Sequence, residues 1–131
     1  CEWEVVQKLN DLAVSEEDKE KVIAYLQKEK YLNEARFAEY FAGGKFRLKG
    51  WGKMKIAQAL AQKRVAKHLV YQGLASIDDN DYREKLYSLL QRKKELLPEL
   101  EEFKQKQKLF AFASSKGFEP HLIWETIKDL D

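Results

Sequence analysis

Five apolar columns recur three times along this chain, at offsets of 51 and 53 residues. Val14, Val65 and Phe118 form the anchor column. Leu9, Leu60 and Ala113 precede it by five positions; Val5, Ile56 and Leu109 precede it by nine. Ile23, Leu74 and Ile127 follow it by nine; Leu26, Ile77 and Leu130 follow it by twelve. Helical periodicity explains matches within one helix. Two helices and their turn in one register, three times over, indicate a repeat array. Residues 5–26, 56–77 and 109–130 are therefore expected to fold alike, as helix–turn–helix units.

Composition fixes the kind of unit. Ala, Leu, Lys, Glu, Arg and Gln supply 76 of 131 residues, whereas Val, Ile and Thr supply 12. Such a chain is all-α. About 50 residues per repeat leave room for a third helix before each pair. Asn33 is expected to cap one carrying Phe37, Tyr40 and Phe41 on one face. Asp78 caps another carrying Tyr82, Leu86, Leu89 and Leu90, which Pro98 ends. Ser15 is the N-cap of the first repeat's last helix, and Pro120 opens that of the third. Eight helices follow, with repeats at 1–29, 30–77 and 78–131. The first repeat lacks its first helix, so the chain reads as a fragment or a processed form.

Charge is distributed unevenly. The net charge is +2, yet residues 40–77 contain no Asp or Glu. They hold Lys45, Arg47, Lys49, Lys53, Lys55, Lys63, Arg64 and Lys67. The repeats act as a control: Lys53 and Lys55 stand where the first repeat has Glu2 and Glu4. Gly52 is the expected N-cap there, with Trp51 stapling onto Ile56. Lysines in a first turn oppose the helix dipole by about 0.3–1 kcal/mol each. That start is expected to keep free N–H groups and to await an anion. Replacing both lysines by glutamate should then ease the helix start and weaken binding. The smaller cluster at Lys104, Lys106, Lys108 and Lys116 follows Glu101 and Glu102 and reads as a solvated face, with Glu102 pairing Lys106.

No catalytic constellation is present. Gly50-Trp51-Gly52 lacks the further glycine of a dinucleotide fingerprint, and Lys53-Met54 is not a P-loop ending. Cys1 is the only cysteine, and His68 and His121 sit in no motif. Asp78, Asp79 and Asp81 lack the partners of a metal loop. The aromatics Tyr31, Phe37, Tyr40, Phe41 and Phe46, at helical spacing, are assigned to the core rather than to base stacking. The chain is expected to be no enzyme, with no cofactor, no metal and no small-molecule substrate. No apolar run has the length of a membrane span or a secretory leader.

Asn33-Glu34-Ala35-Arg36-Phe37-Ala38, the basic Lys45-Phe46-Arg47, and Gly50-Trp51-Gly52-Lys53-Met54-Lys55-Ile56 with Leu60, Lys63 and Val65 resemble the RecX family. So does Lys116-Gly117-Phe118. The family usually has an acidic residue at Asn33 and Gly-Ile at Arg64-Val65. The resemblance implies three tandem three-helix repeats in an elongated, curved array. It also implies a cytoplasmic, monomeric regulator that binds the RecA–DNA filament and inhibits recombinase, ATPase and coprotease activities, so tuning DNA repair and the SOS response. DNA would be met through its phosphates, without sequence preference. The binding residues expected are Lys45, Arg47, Lys49, Trp51, Lys53, Lys55, Lys63, Arg64 and Lys67, with Trp51 equally suited to a staple. A general nucleic-acid-binding helical module, with no recombinase partner, is the alternative reading.

Overall fold

The computed structural model describes Glu4, Gln7, Lys8 and residues 15–130. Among these residues there are six helices and no strand: α1 (Glu16–Lys49), α2 (Lys53–Gln62), α3 (Lys67–Ala75), α4 (Asp79–Leu96), α5 (Glu102–Lys116) and α6 (Pro120–Asp129). The chain divides within α1 into two compact units, Cys1–Arg36 and Phe37–Asp131. In the first, Ser15 Oγ accepts from Asp18 N at 3.2 Å, as a capping serine should. Glu16, Glu17 and Asp18 follow in the first turn, where carboxylates suit the dipole.

The expected eight helices become six for two reasons. The first lies for the most part outside the described residues, its column positions Val5 and Leu9 included. The second and third are one: α1 runs unbroken through Asn33, which is exposed in its interior. Gln27 to Leu32 contains no glycine, no proline and several good helix formers, so nothing halts the helix. An asparagine contributes a cap only where the preceding residues leave the helix. At Asp78 they do. Ser76 turns its hydroxyl onto Gly73 O at 2.6 Å, and Asp78 Oδ2 accepts from Asp81 N at 2.9 Å.

The core of the second unit gathers Ile56 and Leu60 from α2, Leu86 and Leu90 from α4, Leu109 and Ala113 from α5, and Ile123 and Ile127 from α6. Every described residue of the repeat columns in this unit is buried or half-buried, Leu60 fully and Leu74 partly. Residues 56–77 and 109–130 are both helix–turn–helix, as the columns require. The face α1 buries is a correction, however. Ala38, Ala42 and Phe46 go inward, while Tyr40 is 81% and Phe37 43% exposed. The small face wins because α3 comes close: a Cβ on Gly73 would lie 2.9 Å from Ala38 O. Backbones at that distance exclude the bulky stripe, which faces outward.

Candidate partner-binding surface

The basic segment is built around the end of α1 and the start of α2. α1 stops at Gly50, whose φ of 67° is left-handed, with Gly50 N bonded to Phe46 O and Trp51 N to Lys45 O. That reversal returns Trp51 over the last turn of α1. Gly52 is the N-cap of α2, as its sequence position suggests, and no carboxylate lies in the first turn.

The expected vacancy for an anion at this helix start is not there. Lys53 N donates to Tyr82 Oη at 2.8 Å, and Met54 N donates to Gly117 O at 3.0 Å. Gly52 N donates to Lys116 O at 2.7 Å. Tyr82 in turn donates its hydroxyl proton to Glu119 Oε1. The N–H groups of the N-cap and of the first two residues of α2 are thus satisfied by the third repeat, 29 to 64 residues away in sequence. The carboxylate missing from α2 itself is supplied by Glu119 through the phenol. Burial raises the Tyr82 phenol far above its ordinary value, and the Glu119 carboxylate adds to the shift.

This joint also half-buries Lys53. Its ammonium lies 4.8 Å from the Tyr82 ring centroid and 3.7 Å from Asp79 Oδ1. Lys53→Glu would place a carboxylate beside Asp79 and a buried ring, so the expected easing of the helix start does not hold. Lys85 Nζ and Lys116 Nζ donate to Arg47 O and Lys49 O, neutralising the C-terminal end of α1 from the third repeat. Lys116 is therefore a joint residue, while Lys106 pairs with Glu102 at 3.0 Å as expected.

The remaining cations separate into two groups. Lys45, Lys55 and Lys63 meet on two rings. Lys45 Nζ is 5.4 Å from the Phe41 centroid and 4.9 Å from that of Trp51. Lys63 Nζ is 5.6 Å from Phe41, and Lys55 Nζ 4.7 Å from Trp51. Lys49 stands one helical turn beyond Lys45 on α1, on the same side. Arg64, which directly follows Lys63, and Lys67, which opens α3, are exposed. Arg47 is exposed too, but two residues from Lys45 it points to the other side of α1, its guanidinium folded against Gly43. Of the expected residues, then, Lys45, Lys55, Lys63 and Trp51 converge, Lys49, Arg64 and Lys67 flank them, and Lys53 and Arg47 are turned elsewhere.

Phe41 is the member that sequence reasoning assigned only to the core. It does pack against the core, yet its ring also takes two ammonium groups. Its spacing of four from Lys45 was the available signal. Nothing in the second repeat's own sequence could have disclosed Tyr82, Asp79 or Glu119 as its partners. Among the described residues, no group of three or more His, Cys, Asp or Glu could hold a metal ion. Among the described residues no helix is long and apolar enough to cross a membrane.

Residues 33–74 match the family model for the second three-helix domain of RecX, and residues 80–127 that for the third. The chain is 32% identical over 120 residues to the regulatory protein RecX of Clostridium perfringens, covering 90% of this chain and 56% of that protein. It is 32% identical over 130 residues to that of Clostridium botulinum, covering 98% and 60%. The chain thus spans somewhat over half the length of these curated relatives. The crystal structure of RecX from Lactobacillus salivarius superposes with a TM-score of 0.74 at 22% identity, covering 99% of this chain and 84% of that one.

Proposed function

The chain belongs to the RecX family, and on that premise we propose that it is a non-enzymatic modulator of the RecA recombinase. It binds the RecA–DNA filament and lowers strand exchange, ATP hydrolysis and coprotease activity, and through these DNA repair and the SOS response. It works as a cytoplasmic monomer without cofactor or small-molecule substrate. Relatives that carry the name of a regulatory protein support the class of function.

The observation that supports this surface is the convergence of Lys45, Lys55 and Lys63 in a segment without one carboxylate. A concentrated positive patch raises encounter rates and affinity for a polyanionic filament. Outside that segment acidic residues outnumber basic ones, so the basic patch stands out although the net charge of the chain is only +2.

A salt titration of binding to RecA filaments tests the reading. If about five phosphates are neutralised, the log–log slope is near −4.5, and raising salt from about 50 to 200 mM weakens binding several hundred-fold. Lys45→Glu with Lys63→Glu flattens the slope and relieves inhibition of RecA ATP hydrolysis. Lys106→Glu with Lys108→Glu, in the third repeat, changes both far less. Equal binding by all three proteins overturns the assignment. Tight binding to DNA alone without inhibition of RecA favours the plain nucleic-acid-binding module.

A further inference from the structure

We propose that Phe41 and Trp51 are positioning residues that hold Lys63, Lys45 and Lys55 as a row of three ammonium groups for successive phosphates of a nucleic-acid strand. This rests on the reading that the basic segment is the binding surface and goes beyond it in saying how that surface is organised and what it reads.

The two rings and three lysines alternate: Lys63, Phe41, Lys45, Trp51, Lys55, with Lys45 shared. Lysines that share a ring can be no farther apart than the sum of their distances to it. Neighbouring ammonium groups therefore stand within about one Debye length of each other and repel. Among the described residues no carboxylate forms an ion pair with any of the three. The negative faces of the two rings are what hold them.

Such an arrangement suits a ligand that brings a row of anions. A nucleic-acid strand carries one charge per nucleotide at regular spacing, whereas protein carboxylates have no such regularity. Lysines already seated on rings lose less side-chain freedom when the phosphates arrive, so the order is prepared in advance. Both rings are half-buried and occupied by ammonium groups. Their part is to place charge, not to stack on bases, and the contact is indifferent to sequence.

The test is binding of the full chain to a labelled oligo(dT) of about 30 nucleotides, across salt from about 50 to 200 mM. Trp51→Leu leaves the charge unchanged; it should weaken binding about fivefold to tenfold and reduce the salt slope by about one, and Trp51→Phe should restore most of both. Lys45→Gln with Lys55→Gln should reduce the slope by about two. If Trp51→Leu binds as wild type while the lysine pair loses binding, positioning by the ring is overturned and the binding surface stands. If the lysine pair also binds as wild type, both fall. Wild-type NMR provides a check free of any folding defect in the variants: ring currents should move the Hε protons of Lys45 and Lys55 upfield, and ordinary shifts would overturn the proposal. Poly-glutamate binding as tightly as oligo(dT) would overturn nucleic acid as the ligand.

Discussion

The turn between α2 and α3 and the turn between α5 and α6 are the same turn put to different uses. In the first, Arg64 N bonds to Ala61 O and Val65 N to Leu60 O; in the second, Gly117 N bonds to Ser114 O and Phe118 N to Ala113 O. Both place their middle residue in the left-handed region, Arg64 at φ 63° and Gly117 at φ 96°. Gly117 has a second constraint, because a Cβ there would collide with Lys55 and one on Gly52 would collide with Gly117. That turn is a joint, and only bare backbone fits. Arg64 is exposed, and there the fold tolerates a strained residue that brings a cation. A repeat can thus spend the same local geometry on cohesion in one copy and on charge in another.

The comparison can be broken most forcefully at the core that both copies share. Leu60→Ala, at a fully buried column position, should lower stability by about 3 kcal/mol in a denaturant titration. A loss near zero would mean that the columns are not packing positions. Gly117→Ala should cost about 2 kcal/mol, since left-handed backbone and a collision with Lys55 act together. A harmless alanine there would remove the distinction between joint and free turn.

The joint also has a pH signature. The folded-state phenol of Tyr82 is raised, so its stabilisation is complete below the unfolded value of about 10. Above that pH the unfolded chain releases a proton that the folded chain keeps. Stability should then fall by about 1.4 kcal/mol per pH unit from this group, and the fall should be shallower in Tyr82→Phe. Identical alkaline profiles for the two proteins would show that the phenol is not held by the joint. Smallest is the free turn: Arg64→Gly should raise stability by about 1 kcal/mol and weaken polyanion binding. A variant with unchanged melting would show that Arg64 carries no strain.

What was legible in the sequence followed local rules. Ser15 and Asp78 cap their helices, Pro120 starts one, and Gly52 precedes another. Asn33 misled because a capping residue carries no information about whether the helix before it has stopped. Phe37 and Tyr40 misled because hydrophobic size suggested burial, while the close approach of Gly73 to Ala38 decided it. At the candidate surface, the absence of carboxylates from residues 40–77 was visible at once. The sorting of those cations was not. Lys53 and Lys55 are two residues apart, yet one lies over Tyr82 beside Asp79 and the other over Trp51.

By itself the sequence determined an all-α chain, its repeat register, its packing columns and the charge of its middle copy. These follow from composition, from helical periods of three to four residues and from the recurrence of the columns at 51 and 53 residues, all of which can be read along the chain. Only the tertiary structure decided which face of α1 is buried and which cations remain available. Those outcomes depend on backbone approach and on groups such as Tyr82, Gly117 and Glu119, brought to the start of α2 from tens of residues away. No local pattern encodes such a meeting, because it exists only once the third copy has packed against the second.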